Sequence, residues 1–235
     1  MMSKKLRCMA VIIYIMKAKR HTRTFFGDVM PYISNIRNGH KMNNQITFKQ
    51  YRNIDIGILC LLTAVFEVIA TLATSKWFAG QPMAISITLA LILIAMHRWS
   101  AFAGVVAVVG GAAFCFASSA SIEHFLIYCG GNLFALASLS LFKLFGKEGI
   151  KRSFLKTLLF AFVAYISVAL GRFLFSLPFG AGIPELLGFV FSDVLSLLFA
   201  VILLWLFKDI DGLVEDQKSY LLRLDRQRRA EQDAE

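Results

Sequence analysis

The chain has 235 residues, of which 57% are hydrophobic and only 17% charged, and its formal net charge is +10. Soluble domains run at about 45–50% apolar and about 25% charged, so this composition excludes an ordinary soluble enzyme. The length excludes a large pump carrying its own ATPase. On a soluble protein the positive charge would suggest nucleic acid. Here the basic residues lie between and outside apolar blocks, which is the pattern of membrane topology, and no nucleic-acid partner is expected.

At the N-terminus, Lys4, Lys5 and Arg7 precede an apolar run over residues 8–16, followed by Lys17, Lys19 and Arg20. The run imitates a signal peptide, but it is too short to span a bilayer and lacks a small-residue cleavage site. Residues 1–53 are therefore read as a basic cytoplasmic segment. Within it, residues 1–41 are read as weakly ordered or as a start-site artefact ahead of Met42-Asn43-Asn44-Gln45.

Six apolar blocks follow, at about residues 54–78, 82–96 (short unless 80–97 is included), 101–119, 122–145, 154–177 and 184–207. A spanning helix needs about 20 mainly apolar residues, so the spacing predicts an all-α integral membrane protein with a bundle of six transmembrane helices over residues 54–207. Lys and Arg distribute asymmetrically among the connections. Counting the N-terminal segment, Arg98, the stretch 143–156 and the tail from Lys208, 23 of the 25 fall on one side. Lys76 alone falls on the other, and Arg172 lies inside a block. The positive-inside rule then predicts both termini in the cytoplasm of a multi-pass cell-membrane protein. Residues 208–235, with eight acidic and six basic residues, read as a charged cytoplasmic helical tail. The outward connection 176–183 is rich in Pro and Gly and reads as a lid loop or a plain connector.

Cys8, Cys60, Cys115 and Cys129 form no Cys-x-x-Cys pair, so neither a disulfide framework nor a zinc site follows. No phosphate-binding Gly-Lys-Ser/Thr loop, His-Glu-x-x-His or Gly-x-Ser-x-Gly occurs. The chain is accordingly read as not an enzyme, with no cofactor and no metal. His124 with Glu123 or Asp193 is the only grouping with any catalytic potential.

Charges at membrane depth cost about 2.5–3.5 kcal/mol each on insertion scales. Three need a reason here: Glu67 in the first block, Arg172 in the fifth and Asp193 in the sixth. His124, Tyr128 and Asn132 are spaced i, i+4, i+8, so one helix face carries them. Trp77 ends the first block, where an interfacial aromatic is expected. Two readings stand side by side. In one, Glu67, Trp77, His124, Tyr128, Asn132, Arg172 and Asp193 line an outward-facing pocket for a small water-soluble ligand. In the other, Arg172 pairs with Asp193 or Glu67 and only holds helices together. Ala103, Ala107 and Gly111 form a stripe of small residues suited to close helix packing or to a partner subunit.

The stretch Met96-His97-Arg98-Trp99-Ser100-Ala101-Phe102-Ala103-Gly104 and the glycine- and alanine-rich run to Ala113 resemble the Arg-Trp-Gly-type start of the third helix in S components of energy-coupling factor transporters. The first block has Ala70-x-x-x-Thr74 where that family often has Ala-x-x-x-Ala. The resemblance covers roughly residues 50–210. It implies a substrate-capturing subunit for a vitamin or similar micronutrient, working with a pair of ABC-type ATPases and a transmembrane coupling subunit. The alternative is a non-transport membrane scaffold of an envelope complex.

Overall fold

The computed structural model describes residues 48–77, 85–208 and Gln217. The N-terminal segment before Phe48, the tail beyond Lys208 apart from Gln217, and the side chain of Trp77 lie outside the described residues. Nine α-helices are present among the described residues, with no strand. They are α1 (Phe48–Trp77), α2 (Thr88–Trp99), α3 (Ala103–Ala117), α4 (Ile122–Leu133), α5 (Ser140–Phe145), α6 (Lys147–Arg152), α7 (Phe154–Ser176), α8 (Ile183–Ser192) and α9 (Val194–Phe207). Five stretches are long and apolar enough to cross a membrane: Phe48–Lys76, Thr88–Ala117, Ile122–Phe145, Phe154–Phe179 and Ile183–Phe207. That is the make-up of a multi-pass membrane protein.

The apolar residues of α1 continue outward as well as inward. Ile54, Ile58, Leu61, Val65, Ile69 and Leu72 are all exposed and recur at helical spacing. Such a stripe is stable against lipid and unstable against water.

The second stretch is broken. Thr88 and Gly110 are 22 residues apart in sequence, which in one straight helix would separate them by about 33 Å. A Cβ on Gly110 would instead lie 2.3 Å from the Thr88 side chain. The chain therefore folds back between α2 and α3. The reversal is at Ser100, with φ 53° and ψ −119°, followed by a 3₁₀ turn over Ser100–Phe102. The described parts of the second and third predicted blocks correspond to its arms. Each arm is short: the 12 residues of α2 rise about 18 Å.

Ser100 occupies the backbone region that a type II′ turn reserves for glycine. Ser100→Gly is expected to relieve this strain and raise stability by about 1 kcal/mol. In thermal unfolding of the detergent-solubilised protein that is a rise in Tm of roughly 2–4 °C. An unchanged or lower Tm would show that the turn is not strained.

Eleven of the twelve α2 residues are buried. A helix that is apolar all round belongs in the middle of a bundle, and α2 packs against α3, α9, α1 and α7. Ile92, Leu93 and Met96 of α2 join Val106 of α3 and Phe160 of α7 in the core.

Glycines set the closest helix approaches. A Cβ on Gly131 of α4 would lie 2.7 Å from the Arg172 backbone nitrogen on α7, and one on Gly171 would lie 2.7 Å from the Gly131 carbonyl oxygen. This crossing brings the α4 and α7 polar residues together. A Cβ on Gly111 would lie 2.9 Å from the backbone of Tyr128 and Cys129. With Ala103 and Ala107 fully buried, the small-residue stripe of α3 packs inside the chain.

Candidate polar site inside the bundle

Glu67, on α1, is 1% exposed. One of its oxygens, Oε2, accepts from the backbone N–H of Ile87 (2.9 Å) and Thr88 (3.0 Å) and from the hydroxyls of Ser86 (3.0 Å) and Thr88 (2.8 Å). The carboxylate thus caps the N-terminus of the central helix from a neighbouring one. It satisfies backbone donors that have no intrahelical partner and sits at the positive end of the helix dipole. At the other end of α2, the Lys147 ammonium donates to the His97 carbonyl at 2.9 Å, which complements the negative end.

Arg172, on α7, is 6% exposed. Its Nη1 pairs with Asp193 Oδ2. Its Nε and Nη2 donate to Asn132 Oδ1 at 3.3 and 2.9 Å. The guanidinium lies over the Tyr128 ring, 4.5 Å from its centroid. Asn132 is itself held by α3, because its Nδ2 donates to the Ala107 carbonyl at 3.3 Å. Stacking and a planar hydrogen-bonded fork are the features that make arginine suited to a buried pair.

Asp193 stands at the junction of α8 and α9, where the last membrane-length stretch breaks. The break frees backbone acceptors, and the Tyr165 hydroxyl donates to the Val190 carbonyl just before it. Irregular backbone at such depth persists only where protein groups satisfy it. On α9, Ser196 Oγ accepts from the Ser86 backbone N–H at 2.8 Å.

Two small cavities adjoin this cluster, each of about 10 Å³, enough for a single water molecule. Both are lined by Ser86, Thr88, Asn132, Arg172 and Asp193. The second also touches Glu67, Phe114 and Tyr128. Of the residues singled out from sequence, Glu67, Tyr128, Asn132, Arg172 and Asp193 therefore meet in one place. His124 does not join them. It is exposed near the start of α4, with Nδ1 2.8 Å from Ser121 Oγ, and meets the group only by stacking on Tyr128 at 6.5 Å. Trp77 ends α1, and its side chain is outside the described part.

Sequence reasoning missed Ser86, Thr88 and Ser196. It also missed a second polar group at the far end of α2. There Arg98 donates to Asp55 from Nε (2.8 Å) and Nη2 (2.6 Å), and the Trp99 indole N–H donates to the same carboxylate. Asp55 was legible as an acidic residue at the start of the first apolar block, one residue after Ile54.

Compared with known proteins, the chain matches no family model, no curated protein and no solved structure. The class that fold and site define is a multi-pass, all-helical membrane protein with a buried charged cluster at its centre.

Proposed function

We propose that the chain is the substrate-capturing subunit of an importer of the energy-coupling factor type. In this reading six membrane helices cross the cell membrane, α2 and α3 counting as two, and both termini are cytoplasmic. A small water-soluble micronutrient such as a vitamin is taken at the cluster around Arg172. Separate ABC-type ATPases drive uptake through a transmembrane coupling subunit.

The observation that carries the reading is the convergence of Glu67, Asn132, Arg172 and Asp193 from four helical stretches on one cavity. Burying two carboxylates and a guanidinium inside an apolar bundle is costly, and such groups by default mark a substrate or ion path. The cavities take about one water each, so a vitamin is admitted only when Arg172 and Asp193 part. The break at Asp193 supplies a place for that movement. Helix α8, which precedes it, has no fully buried residue, and its swing would have to break the Tyr165–Val190 hydrogen bond and lift Val190 from the core.

A second reading, a non-transport scaffold of an envelope complex, is favoured by the small cavity volume and by the internal pairing of Arg172. Affinity purification of the full chain from native membranes in mild detergent, read by mass spectrometry, separates the two. Recovery of a pair of ABC-type ATPases with a membrane coupling subunit is the expected result. Recovery of envelope-building proteins, or of the chain alone, would overturn the importer reading.

A further inference from the structure

We propose that the elbow formed by α5, α6 and the start of α7 is a seat for an anionic phospholipid. Lys143, Lys151, Arg152 and Lys156 take the headgroup phosphate, and the apolar side chains beside them take the acyl chains. Residues 143–156 hold five basic residues and one acidic residue, Glu148. Lys147 is committed to the His97 carbonyl. The other four take part in no ion pair among the described residues, where Arg98 pairs with Asp55 and Arg172 with Asp193. Glu148 is exposed and offsets only one of the four.

The elbow is firmly built. Gly146, at φ 69°, reverses the chain between α5 and α6. Ile150 is fully buried in the core. Its carbonyl accepts from the Thr157 hydroxyl at 2.8 Å, which ties α6 to α7. The Lys156 ammonium leans back into the resulting notch. It lies 5.2 Å from the centre of the Phe145 ring and 3.9 Å from the position of a Cβ on Gly149. The surroundings of these cations are not those of a water-facing patch. Leu144 and Leu155 are 73% and 72% exposed, and Phe145 and Phe154 are exposed beside them. Leu155, Leu159 and Phe162, all exposed, carry this surface along one face of α7.

Trp205 of α9 marks the same level. Its ring meets Phe154 edge-on at 5.1 Å, and the Lys208 ammonium lies over its face at 3.3 Å. Tryptophan and lysine take such positions where acyl chains give way to headgroups. Cations and exposed apolar side chains at one depth fit a molecule that is anionic at one end and apolar at the other. Basic pockets beside membrane helices bind anionic headgroups for this reason. An acidic protein would meet the charges but leave Leu144 and Leu155 unmatched.

The test is electron spin resonance of the full chain in vesicles of equal parts phosphatidylcholine and phosphatidylglycerol, with the acyl chain of one lipid or the other spin-labelled. Immobilised phosphatidylglycerol should exceed immobilised phosphatidylcholine severalfold. The excess should shrink as salt is raised, because salt screens exposed charges. Lys143→Gln with Arg152→Gln should remove at least half of it. Both side chains are exposed, so the fold is not at stake. Lys76→Gln is the control and should change nothing. Lys76 is in the last turn of α1, far from the elbow, because Asp55 near the start of α1 already pairs with Arg98 beside His97. No excess of phosphatidylglycerol, or an excess that survives the double variant, would overturn the proposal. An equal loss in Lys76→Gln would also overturn it, since charge anywhere on the chain would then suffice. Displacement of the lipid by inorganic phosphate at constant ionic strength would assign the cations to a free anion and overturn the lipid seat.

Discussion

Glu67→Ala is expected to remove most of the folded protein, whereas Glu67→Gln is expected to keep it. The alanine variant deletes the acceptor for four donors at once. Two of them are backbone N–H groups of Ile87 and Thr88 at the start of a helix whose surface is almost wholly buried. Each buried donor left without a partner costs about 1–3 kcal/mol. The sum is therefore several kcal/mol, against a typical total stability of about 5–15 kcal/mol. The hydroxyls of Ser86 and Thr88 can turn toward other acceptors, and the Thr88 N–H keeps a longer bond to Ser86 Oγ at 3.2 Å, but the Ile87 N–H has no other acceptor among the described residues. Glutamine retains a carbonyl oxygen of nearly the same reach, so the backbone donors keep their acceptor and only the charge is lost. Titration with a denaturing detergent, followed by loss of helix signal, measures both variants. Equal stability of the two would show that Glu67 is not the cap that holds α2.

Much of this arrangement is visible in the sequence, and the gaps have physical causes. Apolar blocks announce the helices because lipid and bundle core demand the same residues. The reversal at Ser100 is visible because His97, Arg98 and Ser100 interrupt the apolar pattern there. The break at Asp193 is not. Phe189 to Phe207 is otherwise apolar apart from Ser192 and Ser196, with no glycine or proline to announce an end. The partners of Glu67 are equally hidden, because two of its donors are backbone N–H groups, which every residue except proline possesses. Spacing alone picked out Tyr128 and Asn132 correctly as sharing a face. It also admitted His124, one turn further out, where α4 has just begun and the neighbouring Ile122 is 82% exposed. Periodicity identifies a face but not the depth at which neighbouring helices cover it, and the depth of this contact is set by Gly131 and Gly171.

The Arg172–Asp193 pair separates a structural role from a capturing one. Arg172→Ala leaves Asp193 and Asn132 without their donor inside the bundle, and breaking one side of a buried pair costs about 3–5 kcal/mol. A loss of ligand retention in that variant would therefore be ambiguous, since a partly unfolded protein also retains nothing. Replacing both partners is informative. Exchanging a buried pair for apolar residues of similar volume is often neutral or stabilising, by about 1–4 kcal/mol, and Arg172→Met with Asp193→Leu preserves most of the bulk. Asn132 then loses its donors but keeps its own bond to the Ala107 carbonyl, so the double variant should resist unfolding about as well as the unmodified chain. It should nevertheless lose ligand retention at least tenfold, because both cavities lose Arg172 and Asp193 from their lining. Thermal unfolding and equilibrium dialysis on the same preparation give the two readouts. A double variant that is stable and still retains ligand would assign the pair to helix packing alone, and would remove Arg172 and Asp193 from the capture site.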